Sequence, residues 1–342
     1  SLAIVAGIVD GVRHVLIDRV AGDDVTAVLA LVAGAILIML GTAVLWTSRR
    51  RDEPLRRRYG RRALITIAAV VSAYFVVLPV AIAVVVNHKA RAPIVAPELG
   101  RPHEQVSLRT SDGLELVGWY APSRNRAAVI VFPGHDGPAP HARMLVRRGY
   151  GVLMLDRRGE GESQGDYNAR GWGGEPDLEA AISYLAERDD VDSQRIGGLG
   201  LSVGGELLIQ TAARDGRLAA VVSEGAGNQS LADQMQTPDA PKAVRWLSPM
   251  TMETAAGIVL SNRRPPAGLA TAIPRIAPRP VLLITGGRGN PDEALNGVYR
   301  AAGGPTVSLW EIPEAGHTGG IAAEPGEYER RVVAFFDSAL LP

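Results

Sequence analysis

The 342-residue sequence predicts an α/β protein: a mostly parallel, doubly wound sheet with a helical cap insertion, preceded by a two-helix transmembrane hairpin. Three observations carry this prediction. From about residue 102 onward, short apolar strands alternate with amphipathic helices. Gly200-Leu201-Ser202-Val203-Gly204 stands between a strand-like run and a helix-like run. Val25–Trp46 and Ala63–Val86 are uncharged apolar runs, each near the roughly twenty residues that a helix needs to cross a bilayer.

Composition narrows the function classes. The formal net charge is +0, which argues against a nucleic-acid-binding surface with its basic footprint. No cysteine is present, so disulfides, thiol nucleophiles and thiolate metal sites are excluded. No metal-ligand spacing and no dinucleotide-type glycine loop stands out, so neither a metal nor a cofactor is expected.

Taken in order, residues 1–24 mix apolar residues with Asp10, Arg13, His14, Asp18 and Arg19, and are compatible with an amphipathic interfacial segment. Residues 25–86 form the expected hairpin, with spans at 25–46 and 63–86 and a basic loop at 47–62. The arginines of that loop place it in the cytoplasm under the positive-inside rule, leaving everything after Val86 extracytoplasmic at the cell membrane. Residues 87–101, with Pro93 and Pro97, read as an extended linker.

The domain at 102–342 opens with strands at Val106–Thr110 and Leu114–Tyr120 around the turn Ser111-Asp112-Gly113, a hairpin. Strands at Ala127–Phe132, Val152–Leu155, Gln194–Leu199, Leu218–Ser223, Val281–Thr285 and Val307–Ile312 follow. Helices fall around His141–Arg148, Asp177–Glu187, Glu206–Arg214 and Glu327–Leu340. Residues 227–278 interrupt the alternation, with Trp246, Met250, Met252 and several prolines, and are expected to form the cap.

Polar residues suited to chemistry cluster after the strands: His135, Asp156, Ser202, Glu224, Asp292, Glu293 and His317. In doubly wound sheets, ligands bind at the carboxyl ends of the strands. A serine hydroxyl becomes a useful nucleophile when a sharp strand-to-helix turn lifts it off the backbone, and glycine two positions either side relieves the crowding there. Ser202 meets that requirement.

Four words identify a family: Val129-Ile130-Val131-Phe132-Pro133-Gly134-His135, Gly149 through Ser163, the turn at Ser202, and Pro313-Glu314-Ala315-Gly316-His317. With them, residues 102–342 resemble the α/β-hydrolases, of the membrane-associated bacterial kind related to dienelactone hydrolases and prolyl-oligopeptidase-like esterases. The resemblance implies Ser202 as nucleophile and His317, in the loop after the last strand, as general base. It implies an oxyanion site made by the amides of Val203 and His135. Members of the family usually carry their acid just after the seventh strand, where this chain has Gly289 and Asn290. Glu293 is the first choice for that role, with Asp292 and Glu224 as alternatives.

The function expected is a membrane-anchored serine hydrolase acting on carboxylic or lipid-like esters through an acyl-enzyme. A serine peptidase or acyltransferase on the same fold is the enzymatic alternative. A non-catalytic membrane-tethered binding protein is the other class. The expected partners are a small ester substrate and the membrane, without nucleic acid.

Overall fold

The structure, a computed structural model, describes residues 54–77, 97–134, 137–238, 263–287 and 291–342, with a few isolated positions besides. The chain divides into two compact units, Ser1–Lys89 with Ala243–Arg263, and Ala90–Lys242 with Arg264–Pro342.

The first unit corrects the expected transmembrane hairpin. Its described helix, α1 (Leu55–Ser72), continues into a π-helical turn at Ala73–Val77. No described helix is long and apolar enough to cross a membrane. The physical reason lies in where α1 starts. Instead of turning at the basic run, the helix absorbs Arg56, Arg57, Arg58, Arg61 and Arg62 into its first turns. Residues 55–62 of what had read as a loop between spans are helix, and these charges share it with the apolar residues that follow Ala63. The extracytoplasmic placement derived from the hairpin is corrected with it. The other expected span, 25–46, lies almost wholly outside the described residues.

The second unit is built on one eight-stranded sheet, ordered β1-β2-β4-β3-β5-β6-β7-β8. The strands are β1 (Glu104–Arg109), β2 (Glu115–Ala121), β3 (Ala128–Phe132), β4 (Gly151–Leu155), β5 (Ile196–Leu201), β6 (Leu218–Glu224), β7 (Val281–Gly286) and β8 (Val307–Ile312). β1 and β2 form the expected antiparallel hairpin, and β2 runs antiparallel to β4. Every other neighbouring pair is parallel. The helices used below are α2 (Ala139–Arg147), α3 (Glu175–Ala186), α4 (Val203–Ala212), α5 (Leu231–Gln234), α6 (Leu269–Ala272), α7 (Leu295–Gly303), α8 (Gly320–Ala323) and α9 (Pro325–Leu340).

The two faces of the sheet follow from the period of two along a strand. In β3, Ala128, Ile130 and Phe132 enter a core with Leu178, Ile182, Leu207 and Leu208 of α3 and α4. Val129 and Val131 point the other way, toward Leu145 of α2 and Val332 and Phe336 of α9. A strand covered on both faces needs apolar residues at every position, which is why β3 reads as an unbroken apolar run. Burying each such Val, Ile or Phe side chain contributes on the order of 1.5–3 kcal/mol.

Around β3 the strand order reverses: β4 lies on one side and β5 on the other. Connections leaving β3 and β5 therefore part to opposite sides, opening a crevice at their carboxyl ends. The loop after β4 is anchored beside this sheet. Ser163 Oγ donates to the carbonyl of Asp156 and accepts from the amide of Val117. Arg158 reaches Asp177 at 2.6 Å and Asp112 at 2.8 Å. Asp156 thus ties the loop through its carbonyl, while burial, with Glu160 and Glu162 adding, pushes its carboxyl up to about 6.

Candidate active site

Ser202 sits between the end of β5 and the start of α4, with φ 51° and ψ −124°. A non-glycine residue there is strained, and such strain persists only where the surroundings over-determine it. Its amide donates to the carbonyl of Glu224 at 2.7 Å, while its own carbonyl accepts from Gly205 and Glu206 as the helix begins. The glycines explain how the turn closes. A Cβ on Gly200 would stand 2.4 Å from the carbonyl carbon of Gly204, and one on Gly205 would stand 2.2 Å from Ser223 Oγ. The helix starts at Val203 rather than near Glu206, so the turn is tighter than the residue pattern suggested.

His317 lies after β8, and its Nε2 stands 2.9 Å from Ser202 Oγ. Its Nδ1 stands 2.7 Å from Oε1 of Glu293. A carboxylate can only accept, so Nδ1 carries the proton and Nε2 is free to accept from the serine hydroxyl. The hydrogen bond to Glu293 raises the imidazole above its ordinary value against the opposing effect of burial, and the charges of Glu293, Glu206 and Glu224 add to the rise. The histidine side chain is 37% exposed, which leaves the ring in reach of solvent and substrate. Thr318 follows with φ 52°, a second strained residue beside the first.

Glu293 stands in a 3₁₀ turn, Pro291–Ala294, that leads into α7. Its carboxylate is buried, and Oε2 accepts the amide of Gly286 at the end of β7 while Oε1 faces the imidazole. Of the two alternatives, Asp292 shares this turn, and its side chain falls outside the described residues. Glu224 is turned elsewhere. Its oxygens accept from the Gly320 amide at 2.8 Å and the Tyr328 hydroxyl at 2.6 Å, with His141 Nε2 at 3.4 Å. Burial opposes its charge, but His141, Tyr328 and Gly320 together outweigh burial and hold it below the ordinary carboxylate value. Glu224 therefore anchors the loop three residues beyond His317 instead of orienting the ring.

Val203 is the first residue of α4, so its N–H belongs to the opening amides that have no partner within the helix. His135 lies outside the described residues. The preceding Gly134 abuts the serine: a Cβ there would stand 3.0 Å from Ser202 Cβ and 2.6 Å from the Leu201 carbonyl oxygen.

Sequence reasoning missed three participants. Gly225 (φ 73°) packs against the imidazole so closely that a Cβ would stand 3.0 Å from its Cε1. Gly171 packs likewise on Val203. Glu206, one turn along α4 from the serine, is buried and accepts the Gly227 amide at 2.8 Å. A charged residue inside the apolar opening of α4 was the available signal. Among the described residues, no cluster of three or more His, Asp or Glu side chains could hold a metal ion.

Residues 85–282, more than half of the chain, match the family model of the X-Pro dipeptidyl-peptidases, S15. The chain belongs to the S15 family. The match stops before Glu293 and His317, which the fold supplies from β7 and β8 onward. An uncharacterised protein of Escherichia coli K12, YfhR, is 28% identical over 256 residues, 70% of this chain and 82% of that protein. Among solved structures, the Pyrococcus furiosus esterase Pf2001 is similar with a TM-score of 0.57 at 23% identity, over 73% of this chain and 97% of that one. GrgF from Penicillium has a TM-score of 0.55 at 19% identity, over 70% of this chain and 99% of that one. GrgF is a polyketide transferase that aligns in sequence over 36% of this chain and 44% of its own length, at 32% identity. These likenesses establish the α/β-hydrolase fold, and S15 membership makes this chain a serine hydrolase by class. They lend no support to the membrane-associated character attached to the resemblance above.

Proposed function

We propose that the protein cleaves carboxylic esters, with Ser202 as nucleophile, His317 as general base and Glu293 as the acid that orients it. One observation supports this reading above the rest: the unbroken relay from Ser202 Oγ through the imidazole to Glu293, at 2.9 Å and 2.7 Å. In the first half-reaction Oγ attacks the carbonyl carbon and its proton passes to Nε2. The C–O bond to the alcohol breaks, and Nε2 returns the proton to the departing oxygen. Water then repeats the attack on the acyl-serine, releasing the carboxylic acid and restoring the hydroxyl. Charge on the carbonyl oxygen is met by the Val203 amide and a second amide from the turn after β3, at His135.

The likeness to the Pf2001 esterase, over 97% of that chain and 73% of this one, favours ester cleavage. The S15 family match favours the second reading, peptide cleavage by the same relay. The two are separated by comparing kcat/KM on p-nitrophenyl acyl esters and on Xaa-Pro p-nitroanilides. Ser202→Ala is expected to lose turnover by about 10⁴-fold or more with its melting temperature preserved, and to lose labelling by a fluorophosphonate. A Ser202→Ala protein as active as the wild type would end the proposal.

A further inference from the structure

We infer that Glu206 is a positioning residue for the His317 base: its buried carboxyl group holds the Gly225–Gly227 stretch against the imidazole and adds negative charge to the field around it. The inference rests on the reading of His317 as base. Three observations meet at this residue. Glu206 lies on the first turn of α4, and its amide donates to the carbonyl of Ser202 at 3.2 Å. Its Oε1 accepts the Gly227 amide at 2.8 Å, which pins the stretch following β6 to the helix that carries the serine. The same stretch brings Gly225 against the ring of His317. One residue thus joins the serine, through its backbone amide, to the stretch that packs on the imidazole, through its carboxyl group.

Charged groups act on this side chain from three described elements. Arg170 faces it from the loop before α3, Asp233 from α5 and His317 from the loop after β8. Burial pushes the Glu206 carboxyl up to about 7, while the Gly227 amide, Arg170 and His317 work against that rise and Asp233 adds to it. The ring of His317 contacts Glu293, and the charges of Glu293, Glu206 and Glu224 all act on it. Arg170 is itself placed by a hydrogen bond from its guanidinium to Asn228 Oδ1, at 3.1 Å, just beyond the pinned turn. A buried carboxylate is costly, and an amide would accept the Gly227 hydrogen bond equally well. What only the carboxyl group supplies is charge, present once pH rises through about 7, and an imidazole that must become imidazolium during attack uses it.

The experiment is a proton NMR titration of His317 in wild type and Glu206→Gln, together with the pH profile of fluorophosphonate labelling of Ser202. Glu206→Gln is expected to lower the His317 midpoint by about half a pH unit. The acid limb of labelling moves down with it, and the plateau rate falls by no more than about threefold because the base is weaker. A residue with a merely structural role would leave the limb where it was. Identical midpoints in the two proteins would overturn the inference while leaving the relay intact. A wild type whose Ser202 is never labelled would instead overturn the reading of His317 as base, and the inference with it. If Glu206→Gln fails to fold, the reciprocal measurement decides. Coupling between two sites is mutual, so the ¹³C-carboxyl midpoint of Glu206 must rise in His317→Gln, by about half a pH unit. An unchanged Glu206 midpoint would be equally fatal.

Discussion

Gly204 packs so closely on Phe132 that a Cβ on it would stand 2.6 Å from the Phe132 carbonyl oxygen and 2.6 Å from that of Pro133. Both obstacles are backbone at the end of β3, so neither can swing away. Gly204→Ala is therefore expected to push the first turn of α4 off the sheet, at a cost of about 3 kcal/mol. Thermal unfolding should read this as a melting temperature lower by about 5–10 °C. Unchanged stability would mean that the close approach of α4 to β3 does not hold in solution.

The two buried glutamates at the site are expected to separate cleanly. Glu293→Gln can still accept the Gly286 amide, but its amide can no longer fix Nδ1 as the protonated nitrogen. Turnover is expected to fall by about 10⁴-fold with little change in stability. Glu224→Gln disturbs the acceptors of Tyr328 and Gly320 far inside the fold, so its melting temperature falls while kcat falls by less than about tenfold. Paired melts and kcat values on the two variants provide the check, and a reversed pattern would make Glu224 the acid.

The acid limb of kcat/KM follows the imidazole. Attack needs Nε2 unprotonated, so activity rises with pH as His317 loses its second proton. The hydrogen bond to Glu293, with the neighbouring carboxylate charges, holds that loss above the ordinary histidine value. A kcat/KM profile rising through a single ionisation above about 6.5 is expected, and Glu293→Gln moves whatever limb remains downward.

Glu206 carries a stability signature of its own. Its folded carboxyl titrates near 7, above the ordinary value of 4.5. Between those values the folded state holds a proton that the unfolded chain has released, so the contribution is fully present below about 4.5 and lost as pH rises through about 7. Glu206→Gln removes that loss. Its melting temperature is expected to exceed the wild type's by a few degrees at pH 8 and to match it near pH 4. A variant less stable than wild type at pH 8 would show that the charge is fully compensated by Arg170.

How much of the site was legible varies from residue to residue. The turn at Ser202 could be read because its requirements are local: a strand, glycines two positions away on either side, and a helix all fall within a dozen residues. The strand order could not be read, because pairing is settled by which apolar faces meet, and β4 and β5 flank β3 without any mark in its sequence. The choice among Glu293, Asp292 and Glu224 stayed open for a related reason. Each lies at or just beyond the end of a strand of the same sheet, and only the packing of Tyr328 and Gly320 onto Glu224 shows that one of them is already engaged. Glu206 escaped notice because a glutamate on an amphipathic helix is ordinarily solvated, and nothing nearby in the chain announces that Gly227 will cover it. The apolar run from Ala63 was misleading in the opposite sense. Length and composition suggested a span, whereas the described helix begins among arginines.

By itself the sequence determined a strand-and-helix α/β domain and a serine mounted on a tight strand-to-helix turn, since period-two burial and turn sterics act over a few neighbouring residues. Tertiary structure decided everything that depends on distant partners. The imidazole meets a serine 115 positions away and a glutamate 24 positions away. A proton relay is a matter of ångströms in space, and separation along a chain carries no such distance until the sheet has assembled.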